Sequence, residues 1–117
     1  MNKLLLALPV VLFAAAPAHA TGGLVCRTAG ARPLELSLVI GHTAVSSIVS
    51  ARLSERGRAV PVTVVQSWLE PNELWLDLVD PNATRHEARL RAKRNGRVYD
   101  GTIWRGGRGR WVRCRED

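Results

Sequence analysis

From about residue 24 onward, apolar and polar side chains alternate in short runs broken by turn residues, the period-two signature of half-buried β-strands. Leu34, Leu36, Leu38 and Ile40 alternate with Glu35, Ser37 and Val39. Leu74, Leu76 and Leu78 share one face, with Trp75, Asp77 and Val79 on the other, and Ala88, Leu90 and Ala92 alternate with Glu87, Arg89, Arg91 and Lys93. Leu24 and Cys26 form the inner face of a first strand ending at Thr28. A third strand, Val45 to Leu53, is expected to turn Val45, Val49, Ala51 and Leu53 inward. The run from Val60 to Leu69 is apolar on both faces, which leaves its orientation open. No stretch of this region sustains a helical period.

The breaks between runs carry turn chemistry. Glu70-Pro-Asn72 and Asp80-Pro-Asn82 place proline and asparagine where tight turns take them. Ala29 to Pro33 and Ser54 to Arg58 read as loops by composition. Asn95-Gly96 predicts a two-residue type I′ hairpin, which sets Ala92 opposite Tyr99, Leu90 opposite Gly101 and Arg91 opposite Asp100. For the last hairpin a four-residue Gly106–Gly109 loop pairs Ile103 with Val112, Trp104 with Trp111 and Asp100 with Arg115. About eight short strands with hairpin-length links imply an all-β antiparallel meander. Closure into a barrel is expected, with a two-sheet sandwich as the alternative. The charged positions of the Glu87–Lys93 strand exclude the continuous apolar band that an outer-membrane barrel needs.

The opening residues have another character. Lys3, the apolar run Leu4 to Ala16 and Ala18-His19-Ala20 match a cleavable signal peptide over residues 1–20. Residues 21–117 then form a single domain, expected in the periplasm or secreted. No stretch is apolar for the roughly 20 residues a membrane-spanning helix needs. In an exported chain the two cysteines, Cys26 and Cys114, are expected to form a disulfide joining the first and last strands.

Charge and aromatic content then suggest what the surface does. Without the leader, 16 basic side chains face 10 acidic ones, a net charge of +6, and Lys93 is the one lysine among them. The cations concentrate in the last two hairpins, alongside Trp104 and Trp111. Arg89, Arg91, Lys93, Trp104, Arg108, Arg110, Trp111, Arg113 and Arg115 therefore form the candidate binding surface. Trp68 and Trp75, flanking the Glu-Pro-Asn turn, are a second candidate. Such pairs can equally be cross-strand stabilisers of their own hairpins.

His42 and His86 lack ligand-spaced neighbours, and no serine sits in a nucleophile motif. A non-enzymatic protein without metal or cofactor is thus expected. Its partner would be an anionic envelope component or an acidic protein, not nucleic acid. The alternative is an inhibitor or assembly partner of an enzyme, docking through a hairpin loop. In size, leader and strand count the chain resembles small periplasmic β-barrel inhibitors of lysozymes or proteases, and a likeness of architecture does not establish function.

Overall fold

A computed structural model of the chain describes residues 22–41 and 47–117. The leader, His42, Val45 and Ser46 lie outside the described residues. Nine strands follow in order: β1 (Gly22–Thr28), β2 (Leu34–Gly41), β3 (Ser47–Glu55), β4 (Arg58–Val60), β5 (Thr63–Leu69), β6 (Glu73–Val79), β7 (His86–Asn95), β8 (Val98–Arg105) and β9 (Arg108–Glu116). They form one antiparallel sheet in the order β4-β3-β2-β1-β9-β8-β7-β6-β5. The sheet curls into a half-barrel, with β1 paired to β9 and β3 brought against β5. This single curled sheet is the barrel-like meander expected, and not a sandwich of two sheets.

Nine strands replace about eight because the Val60–Leu69 run divides in two. Pro61 has no N–H for a ladder, so it ends β4 after three residues paired with β3. The chain resumes as β5, which pairs with β6 instead. The run is apolar on both faces because it borders the seam of the half-barrel, with Val60, Val62 and Val64 packed on the core and Val65 exposed at a bulge. Ser54 to Arg58 is tighter than a loop, since Glu55 pairs with Arg58 around Arg56 and Gly57, both at positive φ.

Period two assigned most faces correctly, and bulges account for the exceptions. Leu24, Cys26, Leu34, Leu36, Leu38, Leu53, Leu74, Leu76, Leu78 and Leu90 are buried. Val49, expected inside, is exposed, because a bulge opposite Val39 and Ile40 makes it the unpaired residue and turns Ile48 inward. A second bulge leaves Glu87 without a cross-strand partner, between His86 opposite Val79 and Ala88 opposite Leu78.

Both C-terminal hairpins pair two residues away from the expected register. Asn95 pairs with Val98 around Gly96-Arg97, so Ala92 faces Gly101, Leu90 faces Ile103 and Lys93 faces Asp100. Within that loop Gly96 alone has positive φ, as the first central position of a type II′ turn requires. Arg105 pairs with Arg108 around Gly106-Gly107, and both glycines adopt the positive φ of a type I′ turn. Trp104 therefore faces Gly109, Trp111 faces Thr102 and Asp100 faces Arg113. A slip of two leaves every residue on its face, so Tyr99, Ile103, Val112 and Cys114 still point inward and remain buried.

Cys26 and Cys114 face each other across β1 and β9 and form the disulfide, with both residues fully buried. Their separation of 88 residues makes the closed loop nearly the whole domain. In the chain-entropy model that closure is worth about 4–5 kcal/mol. Replacing both cysteines by serine should lower unfolding stability by that order in urea titrations.

A glycine fixes the other critical approach. A Cβ on Gly101 would meet the Arg91 carbonyl and come within 2.6 Å of the Ala92 Cα. Gly101→Ala must therefore push β7 and β8 apart, a loss of about 1–3 kcal/mol in the same titration.

Candidate functional site

The registers of β5 to β9 compose one outward face. Reading straight across the ladders, Trp68 lies opposite Trp75, Trp75 opposite Arg91, Arg91 opposite Thr102 and Thr102 opposite Trp111. This row crosses five strands and spans roughly 19 Å at ~4.8 Å per strand. The two tryptophan hairpins turn at opposite ends of the half-barrel, which at first suggests two separate local sites. The stagger of the strands instead brings Trp75 and Trp111 into one row. Trp104 sits beside it on β8, its indole Nε1 lying over Gly109, where a Cβ would come within 2.9 Å. All four indoles remain 41–54% exposed.

Arg89, Arg91 and Arg113 are held on this face by two carboxylates and the indoles. Asp77, opposite Arg89, is only 5% exposed. Its Oδ1 accepts from Arg89 Nε at 3.2 Å and Arg91 Nη1 at 3.3 Å. The Arg91 guanidinium also stacks over Trp75, 4.6 Å from the ring centre. Arg113 grips Asp100 with two hydrogen bonds, at 2.7 and 2.9 Å, and lies 5.2 Å from the Trp111 ring. That fork holds the Asp100 carboxyl below the usual aspartate range and the Arg113 guanidinium above its own. Arg27 extends the face onto β1, opposite Arg113, and pairs with Glu35 at 2.9 Å.

Three shallow hollows follow the row, each combining an indole with guanidinium groups. One lies between Trp68, Trp75 and Arg91, and a second joins Trp104 to Arg89 and Arg91. The third joins Trp111 to Arg27, Arg113 and Arg115. Planar apolar surfaces beside forked donors suit a ligand with apolar faces and anionic groups.

Of the residues expected here, Arg89, Arg91, Lys93, Trp104, Trp111, Arg113 and Arg115 share this outward face, with Trp68 and Trp75. Arg108 and Arg110 do not. Arg108 sits at the β8–β9 turn, and Arg110 lies opposite Ile103, its Nη2 donating to the Ala29 carbonyl at 3.1 Å. Asp77, which period two puts on the same side as Trp75, joins the candidate site through Arg89 and Arg91. Its place between Trp75 and the β7 arginines follows only once β6 is paired with β7. Among the described residues no group of His, Cys, Asp and Glu is arranged to hold a metal ion.

A second constellation occupies the mouth of the half-barrel. Arg105, 19% exposed at its side chain, sends Nη2 to Glu55 Oε1 and Nη1 to Glu87 Oε1, both at 3.1 Å. Burial opposes the charge on Arg105, and the two carboxylates outweigh it, raising the guanidinium pKa. Beside the mouth, Asp80 organises the 80–85 loop, with its carboxylate accepting from the Thr84 N–H, the Thr84 hydroxyl and the Arg85 N–H.

No family model, curated protein or solved structure matches this chain.

The Asp80 carboxyl is lowered from 3.8 to about 2, first by the Arg85 N–H, against an opposing effect of burial and with further help from Thr84 and Asn82. A depressed carboxylate stabilises the fold above its unfolded pKa and loses that contribution as pH falls through its folded one. Asp80→Asn should therefore be less stable than the parent at neutral pH. The gap should close between about pH 4 and pH 2 in paired urea titrations.

Proposed function

We propose that this protein is a non-enzymatic, exported binding protein, acting in the periplasm or outside the cell, that meets an anionic envelope component through the outer face of β5 to β9. The observation that carries this reading is the Trp68–Trp75–Arg91–Thr102–Trp111 row, with an indole and guanidinium in each adjoining hollow. Tryptophan and arginine supply most of the energy at binding surfaces, because both combine broad contact area with directed donors. The leucines that fill the inside leave the outer wall as the place for a ligand. A buried disulfide suits an oxidising compartment.

The division of labour among the cations guides the test. Arg89, Arg91 and Arg113 hold Asp77 and Asp100, so removing them would also unseat the sheet's own carboxylates. Lys93, Trp111 and Arg115 are exposed and better suited to substitution. The oxidised protein, immobilised and loaded with envelope extract, should release its partner along a salt gradient. Lys93→Ala with Arg115→Ala should move elution to lower salt, each change weakening binding about two- to five-fold. Trp111→Ala should reduce capture at every salt concentration. Capture that ignores salt and is abolished by altering the Gly106-Gly107 turn would instead support docking onto an enzyme through a hairpin loop, and would overturn the reading.

A further inference from the structure

The meander sends four connections to one end of the half-barrel: residues 29–33, 56–57, 80–85 and 106–107. Together they bring Arg32, Arg56, Arg58, Arg85 and Arg108 to that rim, all exposed. The acids at this end are all engaged, Glu35 by Arg27 at 2.9 Å. Glu55 and Glu87 converge on Arg105, which spans the mouth from β8 to β3. Glu87 also meets Arg85 at 3.3 Å, and Asp80 is consumed by its own loop. Among the described residues, no ion pair involves Arg32, Arg56, Arg58 or Arg108.

The opposite end is balanced. Lys93, Arg94, Arg97 and Arg115 are set there against Glu70, Glu73, Glu116 and Asp117. Among the described residues the molecule is therefore electrically polar along its axis, with an excess of cations at the end formed by the four connections.

The rim's chemistry narrows the partner. Besides arginine, the four connections carry only small or polar residues and proline: Ala29, Gly30, Ala31, Pro33, Gly57, Pro81, Asn82, Ala83, Thr84, Gly106 and Gly107. The core of a protein interface is more apolar than its rim, and no large apolar side chain stands on these connections, Trp104 lying beside the 106–107 turn on the outer face. What they present is guanidinium forks spread around a ring, each able to take a phosphate oxygen pair. A broad array of phosphates meets that ring better than one groove-bound strand would.

We propose that this arginine rim docks the protein, end-on and by electrostatics alone, onto a bilayer surface bearing anionic phospholipid headgroups. The contact is distinct from the outer tryptophan face and does not rest on it. The mature protein should cosediment with phosphatidylglycerol vesicles at low salt, should not do so with phosphatidylcholine vesicles, and should be released as salt rises. Combining Arg56→Ala, Arg58→Ala, Arg85→Ala and Arg108→Ala should weaken vesicle binding about five-fold per arginine, with the thermal midpoint and capture of the outer-face partner retained. Arg94→Ala with Arg97→Ala, at the balanced end, should leave vesicle binding near the parent value. The proposal is overturned if the rim variant binds vesicles like the parent, if the balanced-end variant loses as much, or if phosphatidylcholine vesicles bind equally. Soluble polyphosphate binding as tightly as the vesicles, at equal phosphate concentration, would likewise overturn it in favour of a free polyanion.

Discussion

The pairing of β1 with β9 is the constraint on which the rest depends. Without it the chain is two separate meanders, β1 to β4 and β5 to β9, each with one apolar face and nothing to cover it. Joined edge to edge, they become one sheet long enough to curl, and the leucines of both arms meet inside. Cys26 and Cys114 lie at the middle of that join, directly opposite and fully buried. The bond spares the chain most of the entropy of bringing its two ends together, which a domain this small could not easily recover from apolar burial alone.

Closing the core in this way frees the outside for charge. Four carboxylates around the C-terminal hairpins become anchors for arginines: Asp77 beneath Arg89 and Arg91, Asp100 beneath Arg113, and Glu55 with Glu87 around Arg105. These ties fix guanidinium orientation and stack two of the groups on Trp75 and Trp111. A flexible cationic face becomes an ordered one, so less side-chain entropy remains to be lost on binding. The energetic gain to folding is a lesser matter, because exposed ion pairs are worth little.

The faces were legible in the sequence because burial and period two are the same statement, as the runs Leu34–Ile40, Leu74–Leu78 and Ala88–Ala92 illustrate. The disulfide was legible for the same reason, since Cys26 and Cys114 sit on inward positions of the terminal strands. Register was not, because a shift of two residues preserves every inside and outside assignment. Only the backbone demands of Gly96, Gly106 and Gly107, and the close approach at Gly101, separate the candidates. Bulges at Val49 and Glu87 break the period locally and leave no compositional trace. The tryptophan row depends on strand stagger, and the arginine rim on strand direction. Neither property belongs to any single segment.

The tie from Arg105 to Glu55 has a mechanical meaning beyond its charges. It joins the β1–β4 arm to the β5–β9 arm across the mouth, where the Cys26–Cys114 bond joins them along the β1–β9 ladder. The covalent bond thus acts as a hinge pin, and the ion pair as a latch across the mouth. Farthest from the β1–β9 join, beyond both ties, runs the unpaired seam along β3 and β5, where Pro61 and the Val65 bulge interrupt the ladders. Opening of this molecule should begin as a swing of two rigid leaves about β1 and β9, with water reaching the leucines through the seam before any strand is lost.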